Sequence, residues 1–228
     1  MIERRTLSDQ VYQHLLREIM SGRLPSGHEL QEAALSLKLA VPRSAVREAI
    51  WRLASQNVVE ARPRSVVVRP FGPAQVRQVF QVREALESLA TELACGRLTA
   101  EDFERLERLL ADIPPRDAAH HQEACHRLDL ELHALIAARC GNPLLRREID
   151  RLGDLVQIVR FRVGLGHGAL ESALRAHIRV IEALHDCNPA AARQRMAEHI
   201  RESAEVAARF AVGEEDAPDL AVELQPVR

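Results

Sequence analysis

The chain has 228 residues, of which 46 % are apolar, 28 % charged and 3 % aromatic, with a formal charge of −2. That length and apolar content suffice for two domains with real cores, and the scarcity of aromatics favours helical packing over a β-sandwich. No run of about eighteen apolar residues appears, which excludes a conventional membrane span, and Cys95, Cys125, Cys140 and Cys187 form no CxxC pair, which excludes a zinc ribbon and a disulfide scaffold.

The start, Met1-Ile2-Glu3-Arg4-Arg5, lacks the apolar core of a signal peptide, so a soluble cytoplasmic protein is expected. Leu7, Val11, Leu15 and Ile19 repeat at helical spacing and predict a helix from Leu7 to Met20, with Ser8 and Asp9 near its start as capping or dipole-favoured groups. Ser21 to Gly27 holds two glycines and a proline and reads as a turn. A second helix is predicted over Glu29 to Leu37, and a short link, Lys38 to Val41, leads to a third. There Val46, Ile50 and Leu53 make a buried stripe, while Arg43 and Arg47, four residues apart, share another face. A guanidinium can grip the paired acceptors of a guanine edge or a phosphate. A solvated arginine face is the alternative, and the surroundings decide against it. Two β-prone runs follow, Val58-Val59-Glu60 and Val66-Val67-Val68, joined by the basic loop Ala61 to Ser65 with Arg62 and Arg64. Three helices and a β-hairpin make a winged helix-turn-helix, whose third helix enters the major groove. Residues 1–70 hold 11 basic and 7 acidic side chains against 20 and 26 in the remainder, a modestly basic head on an acidic body.

Pro70-Phe71-Gly72-Pro73 breaks the chain and is the expected linker. Beyond it, a long helix runs through Val76, Val79, Phe80, Arg83, Leu86, Leu89, Ala90 and Leu93. Further helices are predicted near 99–111, 117–139, 142–163, 168–186 and 189–211, an antiparallel all-α helical bundle of about six helices. The fold class is therefore mainly α, divided as 1–70, 71–212 and a disordered tail over 213–228. Asp129 and His133 stand one turn apart, and His177 and His199 lie among core-spaced apolar residues on the last two helices. Three imidazoles and a carboxylate suit zinc or nickel better than magnesium or calcium. Solvated histidines are the alternative, with His120, His121 and His126 as nearby competitors. Arg83 and Arg160 each sit in apolar surroundings and could hold a ligand carboxylate, or serve only in ion pairs within the bundle.

The segment from Leu7 to about Arg69 resembles the N-terminal domain of the GntR family of bacterial transcription regulators, through Gly22-x-Leu24-Pro25-x-Gly27, Leu30, Leu39 and Arg43-x-x-Val46-Arg47-Glu48-Ala49. The family's Gly-Val-Ser before the first arginine is Ala40-Val41-Pro42 here, and its wing glycine is missing near Ser65. The resemblance implies DNA contact by Arg43, Ser44 and Arg47, with Arg62 and Arg64 in the wing. Residues 73–211 resemble the C-terminal effector domain of the FadR-type branch, called FCD. The match runs through Val82-Arg83-Glu84-x-Leu86-Glu87, Asp129-x-x-x-His133 with Gly141-Asn142-Pro143, His177-x-x-Val180-Ile181, and Met196-x-x-His199-Ile200. Ala176 stands where that branch commonly has glutamate. This resemblance implies Asp129, His133, His177 and His199 as metal ligands and a small organic acid bound beside the metal. The combined reading is a homodimeric, ligand-responsive regulator, expected to be a repressor, on an inverted-repeat DNA operator. A metal sensor without an organic effector is a second reading. A metal-dependent hydrolase, for which only His185-Asp186 speaks, is a third.

Overall fold

The computed structural model describes residues 6–63, 65–70, 72–116, 118, 120–163 and 167–211, without the side chains of 154, 158, 160–163, 167–169 and 210. The tail read as disordered, 213–228, lies outside the described residues.

Helix α1 spans Leu7–Met20. Its cap is Thr6, one place before the expected groups: the Thr6 hydroxyl accepts from the Asp9 amide and the Asp9 carboxylate accepts from the Thr6 amide. Val11, Tyr12, Leu15, Leu16 and Ile19 are buried, whereas Leu7, expected on the same stripe, is 41 % exposed at the first helical position. Gly22 and Gly27 adopt φ of +75° and +79°, the left-handed region that the turn requires.

The segment after Gly27 is extended rather than helical. The Gly27 amide donates to Val68 O at 2.8 Å, the Leu30 amide donates to Val66 O at 2.7 Å, and Glu29 bridges Val67. Helix α2 therefore begins at Glu32 and not at Glu29, and spans Glu32–Leu39. Ala40 ends it with φ of +53°. Helix α3, Arg43–Ser55, buries Ala45, Val46, Ala49, Ile50 and Leu53 against α1 and α2. Pro42 is its N-cap and supplies no side-chain hydrogen bond. Strands β1, Val59–Arg62, and β2, Ser65–Val68, pair antiparallel with Val59 opposite Val68 and Arg62 opposite Ser65. β2 thus lies between β1 and the 27–30 segment.

Six further helices follow: α4 Pro73–Ala94, α5 Ala100–Ala111, α6 His121–Arg139, α7 Pro143–Val163, α8 His167–His185 and α9 Pro189–Phe210. Prolines at the first positions of α4 and α9 are pre-set for helix and lose no needed donor. Asn142 and Asn188 offer their side-chain oxygens to amides of the first turns of α7 and α9. Helix α6 starts at His121, four residues later than expected, where His121 Nδ1 lies 2.8 Å from Pro114 O.

Helix α4 is the central column, packed along α9 and against α7 and α6, and α8 lies on α9 and α6. Phe80, Leu106, Leu128, Leu132, Ile136, Val180, Met196 and Ile200 are among the buried core side chains, and burying each of the larger ones contributes roughly 1.5–3 kcal/mol. Helix α1 of the head packs on α7 of the bundle. Among the described residues no helix is long and apolar enough to cross a membrane.

Candidate DNA-reading surface and metal centre

On α3, the buried stripe fixes which side chains face outward. Arg43, Ser44, Arg47 and Glu48 are exposed, as the i, i+4 spacing requires. Arg47 is engaged: its Nη2 donates to Glu32 Oε2 at 2.8 Å and its Nε lies 3.1 Å from both Glu32 oxygens. That bond holds the Glu32 carboxyl below its usual range and the Arg47 guanidinium above its own. In the wing, Arg62 donates to Glu60 at 2.9 Å, while Arg64 lies outside the described residues. Trp51, which the sequence reading did not single out, is 70 % exposed one turn after Arg47. It is the only tryptophan in the chain.

Asp129 and His133 from α6, His177 from α8 and His199 from α9 converge in the bundle, and their offered ligand atoms all lie within 4.8 Å of one another. His177 Nε2 lies 3.0 Å from Asp129 Oδ1 and 3.1 Å from His199 Nε2, and His133 Nε2 lies 3.5 Å from Asp129 Oδ1. His177 and His199 are 2 % and 1 % exposed. Burial, with the His177 and His133 rings next, pushes His199 well below the ordinary histidine range, so its imidazole is neutral and its lone pair available. For His133 burial also lowers the pKa, but Glu87, helped by Asp129, outweighs it and the net shift is upward. Two Nε2 atoms facing one another can share at most one proton, or both can offer lone pairs to a cation. Tetrahedral donors about 2.0–2.1 Å from zinc stand roughly 3.4 Å apart, close to the separations here. The residues fit a divalent transition ion.

Arg83, 2 % exposed on α4, lies against this cluster. Its Nε donates to Glu87 Oε1 at 2.7 Å, its Nη2 is 3.0 Å from His133 Nε2, and its buried Nη1 has no hydrogen-bond partner among the described residues. It is therefore inward-facing and engaged in an ion pair within the bundle. Glu87, which the sequence marked only as part of the matching motif and gave no role, closes the network through His133 Nδ1. Burial works to raise its pKa, but the Arg83 charge, then His133, more than offset that and hold the carboxyl down at about 2. The side chain of Arg160 lies outside those described.

The competing histidines go elsewhere. His120 is exposed beside Glu123, His126 is exposed, and His121 faces Pro114 O and Glu171. His185 and Asp186 are both exposed at the end of α8, where the His185 ring meets Phe103 edge-on, apart from the four-residue cluster.

A winged helix-turn-helix joined to an all-α bundle with a buried polar centre defines a class: DNA-binding transcriptional regulators that carry a helical sensory domain. The model of the bacterial regulatory proteins of the gntR family matches residues 7–68 and that of the FCD domain matches residues 78–202, so the chain belongs to the GntR family and carries an FCD domain. It is similar to the HTH-type transcriptional repressor RspR of Escherichia coli, 27 % identical over 200 residues that cover 87 % of this chain and 88 % of that protein. YdhC, an HTH-type transcriptional regulator of Bacillus subtilis, is 26 % identical over 200 residues, 86 % of this chain and 88 % of its own. The solved structure of E. coli McbR/YncC shares the fold with a TM-score of 0.70 at 22 % identity, over 90 % of this chain and 98 % of that one. The protein is a transcriptional regulator and not an enzyme, and the hydrolase reading falls away.

Proposed function

We propose that this regulator is a cytoplasmic homodimeric repressor whose bundle holds zinc or nickel between Asp129, His133, His177 and His199 and binds a small organic acid beside it. Residues 1–70 are the DNA-reading domain and 71–212 the effector domain. Arg43, Ser44 and Arg47 read the operator's major groove, with Arg62 and Arg64 of the wing on its backbone or minor groove. The supporting observation is the four-residue cluster, with an Arg83 Nη1 next to it that has no hydrogen-bond partner among the described residues. An ion there supplies a Lewis-acid point for a carboxylate. The chain's own contribution is three imidazoles and a carboxylate, three of the four residues buried, with a buried guanidinium as second anchor. Arg160 is the other candidate anchor.

Native mass spectrometry of protein purified without chelator tests this. A dimer carrying one transition-metal ion per chain and a retained small acid is the expected result. A strict monomer, or a metal-free chain that takes up no added zinc or nickel, would overturn it. One observation favours the second reading, a sensor of the metal alone: two of the three Arg83 nitrogens are already engaged by Glu87 and His133. In that case operator affinity would follow added zinc with no organic acid present.

A further inference from the structure

We propose that Glu87 is the positioning residue that orients His133 for the metal and couples α4 to a centre to which α4 gives no ligand. The inference rests on the metal reading above. Glu87 is 7 % exposed, and its two oxygens are divided: Oε1 accepts from Arg83 Nε at 2.7 Å, and Oε2 takes His133 Nδ1. The i, i+4 pair with Arg83 would by itself balance the buried charge, so the second oxygen's contact with a ring on another helix calls for its own explanation.

A neutral imidazole carries one proton. A carboxylate against Nδ1 keeps that proton on Nδ1 and leaves the lone pair on Nε2. That nitrogen stands 3.5 Å from Asp129 Oδ1, on the side of the other ligands, and takes a hydrogen bond from Arg83 Nη2 at 3.0 Å, which an arriving metal ion would displace. His199 has no such support, since its buried Nδ1 lacks a hydrogen-bond partner among the described residues. The carboxylate–histidine arrangement raises the basicity of the ligating nitrogen and fixes the ring plane, and losing such a partner typically costs 10–100-fold in metal affinity. It also has a mechanical consequence. The ligands come from α6, α8 and α9, whereas the helix that follows the linker from the DNA-reading head is α4. Any shift of His133 on metal capture is passed to α4 through Glu87.

The test is zinc affinity by competition with a chromogenic chelator, in wild type, in Glu87→Gln, and in the double variant Arg83→Gln/Glu87→Gln, which removes both charges together so that no lone buried arginine remains. Apo-state melting with chelator present gives the purely structural effect. The proposal expects zinc binding 10–100-fold weaker in both variants, an altered cobalt(II) spectrum, and loss of the zinc-induced slowing of amide exchange in α4. Affinity within twofold of wild type in either folded variant overturns it. So does a lowered apo melting point with an unchanged zinc-induced shift, since that is the mark of a structural ion pair. Wild type that binds no zinc or cobalt overturns the metal reading, and this inference falls with it.

Discussion

Arg47 is already occupied in the free protein, because Glu32 on α2 accepts from both its Nε and its Nη2. An exposed pair of this kind is worth about 0.2–1 kcal/mol, less than a bidentate contact to a guanine edge at roughly 1–3 kcal/mol, so under the proposed reading the base would displace Glu32. Arg43→Ala and Arg47→Ala should each weaken specific operator binding by about 1–3 kcal/mol at fixed salt while leaving the head folded, because neither lies on the buried stripe. Glu32→Gln should act in the opposite sense and tighten binding by up to about fivefold, the equivalent of the lost pair. Trp51, the sole tryptophan, gives a built-in readout: its emission should change on titration with operator and stay constant with unrelated protein. Equal affinity in all three variants would show that α3 does not read bases. The sequence displayed Arg43 and Arg47 through spacing, but Glu32 drew no attention and Glu87 appeared only as a motif residue without a role. The Arg47 that Glu32 binds and the His133 that Glu87 binds lie 15 and 46 residues away in the chain, and no periodicity connects a carboxylate to a side chain on another helix.

At the scale of the element, the two helix-turn-helix devices differ in quality. Thr6 and Asp9 give α1 a reciprocal cap, whereas α2 ends on Ala40 at φ +53° and α3 begins at Pro42 without a side-chain cap. An L residue with a Cβ in the left-handed region is strained by about 1–2 kcal/mol, and glycine relieves that at some cost in unfolded-state entropy. Ala40→Gly should therefore raise the stability of the head by about 0.5–1 kcal/mol in a denaturant titration, without altering operator sequence preference. A second element-scale prediction concerns Asp102, which caps α5 through Thr99 and binds Arg139 of α6 at 2.7 Å. The Arg139 bond, with help from Thr99, holds its carboxyl below the usual range. A carboxyl lowered on folding stabilises above its unfolded pKa and loses that contribution as pH falls through the folded one. Asp102→Asn should hence melt earlier than wild type at neutral pH, and the gap should close in acid below about pH 4. Helix existence was legible throughout because apolar spacing and proline–glycine breaks agree. Boundaries shifted where tertiary pairing intervened: Glu29 and Leu30 looked helical in isolation, but Glu29 bridges Val67 and the Leu30 amide donates to Val66 O of β2.

For the whole molecule, an ion held by the four residues would tie α6, α8 and α9 together beyond their apolar packing and the His121–Glu171 pair, and the path to the head has two visible routes. One is covalent, from α4 through the 70–72 link. The other is packing, α4 against α7 and α7 against α1. A ligand can shift the arrangement of two heads in a dimer only by its differential affinity for the alternatives, typically about 1–3 kcal/mol. The four candidate residues could be picked out in sequence, because each falls on a predicted helix, but their distances could not, since those depend on how α6, α8 and α9 cross. A metal present at about one hundred times its dissociation constant adds roughly 2.7 kcal/mol to the stability of the state that binds it. The double variant His177→Ala/His199→Ala should lose the ion and that increment, and so melt earlier than wild type in the presence of zinc and with little difference in chelator beyond the cost of two small cavities. Its head, built on the separate stripe of Val46, Ile50 and Leu53, should keep its fold and bind operator. Added zinc or organic acid should then no longer change that binding. Retention of one ion per chain would show that the ligand set is wrong, whereas loss of the ion with an intact response to the acid would place the switch outside the metal centre.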